Sequence, residues 1–394
     1  MAIAAVGLPI AITLAVMAFA WPAGRISPRD VPVGIVGTGP ASQRAVEGLT
    51  HQKPGAFDFR LYPDQQTARS AIKNRDVYGA FAVSGDSITV LKATAASPSV
   101  AQLLTDVGQQ LADKATQQMA ARQKAAEQKA GEQKAGGAHS TAKTHKQAAA
   151  GAEPSVQILV KGVDVVPVAT ADPRGVVFSS SVFPLTICGI LIGAFVTMAR
   201  GLARPRHRVL TLLVACAVAA FGVYLVAQGF LGALPHNHVA TWAILSLDLL
   251  SVSATAAGLI RLLGPAGLGL SAALMVFVGN AFSGATSAPE MLPKGADHVG
   301  QWLPPGAGAS LLRDITYFDG AADAGHLAVL ALWSVCGLTA VMFGHWVIRE
   351  GRGTKTGAPA SGELLPALPG SGTTVTVRRH AHAHAHARRD DGDG

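Results

Sequence analysis

Charge is scarce. Only 14% of the 394 residues are Asp, Glu, Lys or Arg, against about 25% in an average soluble domain. The shortage is local: 13 charged residues fall between Val177 and Ile348, and the rest sit in blocks that demand water. A wholly soluble enzyme is thereby excluded. Cysteine is equally sparse, with three residues, Cys188, Cys216 and Cys336, each inside an apolar run. No disulfide framework is available to a polar domain, which must hold together by its own core. Catalytic signatures are missing as well. There is no GxSxG, no HExxH, no paired-cysteine spacing and no GxxxxGK[ST], so no enzyme activity and no cofactor is expected, and energy from ATP would have to come from another subunit. The net charge of +8 does not point to nucleic acid. Much of the basic excess flanks apolar segments, where Lys and Arg orient a membrane protein, and no base-stacking platform accompanies it.

What is present in quantity is apolar sequence, 49% of the chain. A membrane-crossing helix needs roughly 20 mostly apolar residues, and six segments qualify: Ile3 to Trp21, Val176 to Ala199, Val209 to Leu231, Val239 to Ile260, Ala266 to Gly284 and Leu327 to Ile348. Short loops set their direction, because Lys and Arg stay on the cytoplasmic side. The link ARGLARPRHRV carries Arg200, Arg204, Arg206 and Arg208, the link after the fourth segment carries Arg261, and the last segment runs into Arg349, Arg352 and Lys355. Placing these inside predicts a multi-pass plasma-membrane protein with both termini cytoplasmic and residues 22–175 outside. The small-x-small pattern in AFAW (Ala18 to Trp21) leaves a cleaved signal peptide as the alternative for the first segment.

The predicted fold class is a polytopic α-helical membrane protein of about six spans with an extracytoplasmic α/β domain between the first two. Within that domain VPVGIVG (Val31 to Gly37) and FDFRLYP (Phe57 to Pro63) read as strands, and SQRAVEGL as a helix. Asp64 to Asp76 reads as a helix with Ala68, Ala71 and Ile72 on one face, and VYGAFAV and SITVLKA as a hairpin around Gly85 and Asp86. The glycines Gly34, Gly37 and Gly39 are spaced GxxGxG, not GxGxxG, and signal a tight turn after the first strand in place of a dinucleotide site. From Pro98 the residues Val100, Leu103, Leu104, Val107 and Leu111 recur at helical spacing. The Ala/Lys/Gln-rich stretch of about 124–153 has no apolar stripe and reads as a frayed helix or flexible spacer, or as a contact for anionic wall polymer or headgroups. VQILVKGVDVVPV (Val156 to Val168) reads as a returning strand, 176–348 as the five-helix membrane domain, and 349–394 as a tail.

A few polar residues stand out against the oil. Asp248, in the fourth span with Ser246, Ser251, Ser253 and Thr255, is expensive at that depth and must face protein or a wet cavity. It serves either a substrate or proton pathway or an interhelical hydrogen bond. The stretch from Asn280 to Tyr317 is broken by Gly284, Pro289, Pro293, Pro304 and Pro305 and reads as short external helices capping the bundle at about 285–326. Asn280, Ser283 and Glu290 join Asp248 as candidate pathway residues. The tail places His380, His382, His384 and His386 at alternating positions and a turn holds His236 and His238, but nothing fixes a metal geometry.

One span, an α/β domain containing TARSAIKNRDVYGAFAV, then five spans with NAFSGATSAPEMLP and LPPGAGASLLRDITYFDG before the last resembles the phage-infection-protein (YhgE/Pip-like) membrane proteins and type-2 ABC exporter permeases. The resemblance covers nearly the whole chain to about Gly351. It implies a permease-like subunit that exports a substrate, as one half of a homodimer, with a separate ATPase contacting Arg200, Arg204, Arg206, His207 and Arg208. It further implies that the segment from Ser287 to Tyr317, with Pro289, Pro293, Pro304, Pro305 and Arg313, closes the outer mouth. Two features depart from that pattern: no interfacial helix precedes the first span, and the coupling link is short. The other functional expectation is an envelope scaffold or receptor presenting its α/β domain to wall polymer, secretion machinery or phage. The expected partners are thus membrane lipid, an ATPase and a second copy, and not nucleic acid.

Overall fold

The structure, a computed structural model, describes residues 2–37, 39–84, 87–135, 158–172, 175–199, 201–202, 204–232, 237–319 and 324–353. Arg200, His236, the Gly85–Asp86 turn, most of the Lys-rich insertion beyond Ala135 and the histidine tail lie outside them.

Helix α1 (Ala2–Ala23) leads through a short extended segment into a five-stranded sheet of order β2-β1-β3-β4-β5. Strand β1 (Val31–Val36) lies between β2 (Phe57–Tyr62) and β3 (Gly79–Ser84), both parallel to it, and its Val31, Val33 and Ile35 are fully buried. Parallel strands need crossover connections, supplied by α2 (Pro40–Gln52) and α3 (Gln65–Lys73). The turn leaving β1 uses Gly37 at φ 110°, a conformation closed to most side chains. Asp64 caps α3 by accepting from the Thr67 backbone N–H at 2.8 Å, and the helix buries Ala68, Ala71 and Ile72 as its periodicity requires. Strand β4 (Ser87–Lys92) pairs antiparallel with β3, and β5 (Leu159–Asp164) returns parallel to β4. Between them α4 (Pro98–Ala135) packs Val100, Leu104, Val107 and Ala112 on the sheet. From Gln117 to Ala126 its side chains are exposed, so this stretch buries no core.

The remaining helices are α5 (Val176–Met198), α6 (Pro205–Tyr224), α7 (His238–Leu263), α8 (Pro265–Ala272), α9 (Ala296–Gln301), α10 (Pro304–Tyr317) and α11 (Ala324–Gly353). Among the described residues four stretches are long and apolar enough to cross a membrane: Val176–Met198, Pro205–Gly229, His238–Leu263 and Ala324–Gly344. All six expected segments are helical. Two of them are not among these four: of the segment expected at Ile3 to Trp21 the apolar helix counted is Thr13–Ala23, and of the one expected at Ala266 to Gly284 it is Pro265–Asn280, where α8 and its continuation end, each shorter than a full span. That continuation, Ala273–Asn280, is a π-helix, as is Leu225–Phe230 at the end of α6. Such widened turns recur at functional sites.

Helix α7 is the hub. Its Ser251, Val252, Ser253, Ala254, Ala256, Ala257 and Gly258 are buried against α5, α6, α10 and α11. Small residues permit this: at Gly193 of α5 an added Cβ would meet Ala256 Cβ at 3.1 Å and the Ser253 carbonyl closer still, and Gly258 is similarly tight against Ala340 of α11 at 2.8 Å. Where lipid supplies no hydrophobic drive between helices, close backbone approach is what holds them.

Candidate functional site

The site grows from the end of α3. After the cap residue Asn74, Arg75 adopts φ 61°, a left-handed conformation unusual for arginine. The turn sends its guanidinium to Asp314 of α10, with which it forms a hydrogen-bonded ion pair. The Asp314 side chain is 1% exposed and that of Arg75 19%. The guanidinium also lies over the Phe318 ring, 5.5 Å from its centroid. Burial draws the Arg75 pKa down, and the charge and hydrogen bond of Asp314, together with Tyr78 and Glu290, more than offset it, leaving the group above the usual arginine value. Three residues on, the buried Tyr78 hydroxyl donates to Glu290 Oε2 at 2.7 Å. Burial first, and the Glu290 charge second, push the Tyr78 phenol well above the ordinary tyrosine range.

Further bonds fasten the α/β unit to residues 285–292, the stretch after the π-turn of α8. Arg29 Nη1 donates to the Met291 and Leu292 carbonyls at 3.1 and 2.7 Å, and Ser97 Oγ to the Ser287 carbonyl at 2.6 Å. The core of the unit continues into this stretch through Ala288 and Met291, and also takes in Phe318 at the end of α10. Between the two lies a cavity of about 510 Å³, walled by Arg75, Tyr78, Glu290, Gln301, Ser310 and Asp314 among others. Ten of its fourteen wall residues are polar or charged, although more than half of the exposed wall surface is apolar, the mixture of apolar wall and convergent polar groups that fixes a bound molecule's orientation.

Helix α10 ties this cavity to the residues singled out in the sequence. Ser310 Oγ donates to Gln301 Oε1 at 2.7 Å, Gln301 Nε2 donates to the Ser283 carbonyl at 2.9 Å, and Ser283 Oγ donates to the Asn280 carbonyl at 2.8 Å. Two residues before Ser310, Gly308 lies against the Asp248 carboxylate of α7, and a Cβ there would collide with Oδ1. That oxygen is buried with no hydrogen-bond partner among the described residues, a costly state this deep in an apolar bundle.

The four pathway residues are thus distributed. Glu290 lines the large cavity, Asn280 and Ser283 line a crevice of about 180 Å³ beside α1 and α5, and Asp248 lines neither. One hydrogen-bonded path through Gln301 joins the first two places, and α10 joins both to Asp248. Three of the prolines act as helix starters, Pro289 opening a short 3₁₀ turn and Pro304 and Pro305 opening α10, while Pro293 follows the 3₁₀ turn. Pro305 packs on Gly279 of the π-turn, seating α10 there. Arg313 is buried, donates to the Ala285 carbonyl at 3.0 Å and stacks on Phe178 of α5 at 4.9 Å. It is a clamp between α10 and α5.

At the far end of the bundle Arg204, Arg206 and His207 are exposed around the start of α6. Arg208 Nε donates to the Leu202 carbonyl at 2.6 Å, close enough to Arg261 at the end of α7 to feel its charge. Helix α5 separates the two ends, since it begins where Gly175 meets Pro98 of the α/β unit and finishes at the basic link. No family model, curated protein or solved structure matches this chain. Its reading therefore rests on this geometry. Among the described residues no three His, Cys, Asp or Glu side chains group to hold a metal.

Sequence reasoning did not single out Arg75, Tyr78, Gln301 or Asp314. The only available signal was that Arg75 and Tyr78 stand in one of the strings that carried the family resemblance, and Asp314 in another.

Proposed function

We propose that the chain is the permease-like subunit of a plasma-membrane exporter, with its α/β unit outside the cell and a separate ATPase engaging the basic link inside. The observation that carries this reading is α10, which lines an outward polar cavity with Ser310 and, one half-turn away, covers the unpartnered Asp248 oxygen with Gly308. A polar cavity and a buried carboxylate in one bundle, separated by a single short helix, form the two ends of a gated path. Moving α10 would connect them, and the helix is held by contacts from both sides: Arg75 on Asp314 from the α/β unit and Arg313 on Phe178 of α5. Helices α5 and α6, joined through the basic link, carry a push from that link up to this clamp. Such a cycle is a population shift between closed and open states, driven by whatever binds the link differently in each.

The two-ended arrangement supports the orientation. Arg204, Arg206, Arg208 and Arg261 gather at the end of the bundle opposite the α/β unit, which is the distribution that retains that end in the cytoplasm. Transport is tested by purifying the protein from its native membrane. An identified ATPase should accompany the wild type and be lost from a folded Arg204→Glu/Arg206→Glu/Arg208→Glu variant. Recovery of envelope components alone, unchanged by the charge reversal, would instead favour the scaffold reading. That second reading has one observation of its own: strands β2 and β5 are open sheet edges carrying exposed Leu61 and Leu159, where a partner strand can add.

A further inference from the structure

The large polar cavity does not end at the protein's polar surface. Next to it lies a second hollow of about 460 Å³, lined by Gln301, Trp302, His326, Val329 and Leu332. Beyond that is a groove of about 550 Å³ walled by Leu274, Val278, Trp302, Leu303, Leu332 and Trp333. The three share walls. His298, Gln301 and His326 border both the polar cavity and the middle hollow, while His298, Trp302 and Leu332 border both the hollow and the groove. The sequence of environments runs from charged to almost wholly apolar across the short helix α9 and its C-terminal turn.

The groove is built to persist. Trp333 Nε1 of α11 donates to the Trp302 carbonyl at 2.8 Å, pinning the end of α9 to the helix that forms the opposite wall. Its sides are the π-turn of α8 and the flank of α11, both apolar, and Trp302 and Leu332 stay 65% and 53% exposed. In the orientation proposed above, this flank meets the hydrocarbon of the outer leaflet.

We infer that the site takes a zwitterionic amphiphile, its head in the cavity between Arg75 and Glu290 and its hydrocarbon tail in the Trp302–Leu332–Trp333 groove. This names the substrate class for the transport reading and rests on it. Two observations choose the occupant. The continuity of a polar chamber with a membrane-facing groove fits a molecule that is itself half polar and half apolar, and a small soluble polar solute would leave the groove unused. The chamber sets three carboxylates, Glu290, Asp297 and Asp314, against one arginine, Arg75, and two histidines, so a purely anionic head meets repulsion that a head carrying a cation avoids.

The test uses the full-length protein in detergent and reads occupancy without transport. The probe is lysophosphatidylcholine with a photoreactive diazirine at the tail end, and cross-links are mapped by mass spectrometry. Saturable labelling of the Val299–Leu303 and Leu332–Cys336 peptides is expected. It should be lost in Leu332→Trp, which fills the groove, and kept in Val218→Trp, a like change on the exposed face of α6. A second probe with the diazirine on the choline head should label the cavity wall near Ser310, and lysophosphatidylglycerol should compete poorly with either. Unsaturable labelling spread over α5 and α6, or labelling indifferent to Leu332→Trp, would overturn the site. Better competition by the anionic lipid would overturn the head-group assignment. Loss of labelling would leave the ATPase-partner test untouched, and failure of that partner test would leave labelling intact, so the two readings fail separately.

Discussion

Gly308 of α10 leaves the space that the Asp248 carboxylate of α7 occupies, and nothing larger than glycine fits while Asp248 is there. Gly308→Ala should therefore destabilise the protein by about 1–3 kcal/mol, the usual range for overpacking a filled interior. The same change in an Asp248→Ala background should cost far less. A thermal-unfolding double-mutant cycle measures the difference, and additive costs would show that the two residues do not meet.

Asp248→Asn keeps the shape and removes the charge. If the carboxylate belongs to the path, transport should fall while the amount and melting temperature of folded protein hold or rise, since a buried oxygen without a partner is then uncharged. Parallel losses of transport and of folded protein would make Asp248 a purely structural residue.

Arg75 and Asp314 join elements 239 positions apart in the chain. Removing one partner leaves the other buried and uncompensated, so Asp314→Asn or Arg75→Met should each cost about 3 kcal/mol, the lower end for a buried pair because Arg75 is partly exposed. The double replacement Arg75→Met/Asp314→Leu should recover most of that loss. Protease resistance of the junction with 285–319 reports it.

Tyr78 predicts an alkaline limit. Its folded pKa is raised above the unfolded value, so its contribution is complete below the ordinary phenol pKa of about 10 and declines as pH rises beyond it. Stability should fall on the alkaline side in the wild type and fall less steeply in Tyr78→Phe, which is less stable at neutral pH for want of the bond to Glu290. Asp64 acts at the other extreme. The Thr67 backbone hydrogen bond lowers its pKa, so its contribution is present above the unfolded value and lost as pH falls through the folded one. Asp64→Asn should flatten that acid limb.

Deleting Lys124 to Ala150 should leave the α/β unit folded, because the last buried residue of α4 among the described side chains is Ala112 and those from Gln117 to Ala126 are exposed. A collapse of protease resistance in the unit would contradict this.

Much of the scaffold was legible in the sequence because it follows from periodicity within one segment. The apolar run of β1, the alternation of β2, the Ala68–Ala71–Ile72 face of α3 and the apolar runs of α5, α6, α7 and α11 each declare themselves within about 25 residues. Asp248 was legible as a charge in oil, and the prolines as breaks. The site itself was not. Its bonds, Arg75 to Asp314, Tyr78 to Glu290 and Arg29 to Leu292, span more than 200 positions, and no local pattern marks Arg75 as different from any solvated helix-end arginine. The π-turns were equally hidden, since an apolar run has the same composition whether its bonds run four or five residues back. Gly308 reads only as a helix-weakening glycine until its neighbour from α7 is in place.

In the proposed orientation the polar cavity lies on the outer side of the membrane. Single cysteines at Gln102, at the cavity-lining Asn74 and at Arg206, in a protein whose own three cysteines are replaced, can be probed with an impermeant thiol reagent. Modification of the first two in intact cells, with position 206 reacting only after permeabilisation, is the predicted result. Reaction of position 206 in intact cells, with 74 and 102 silent until the membrane is opened, would contradict it.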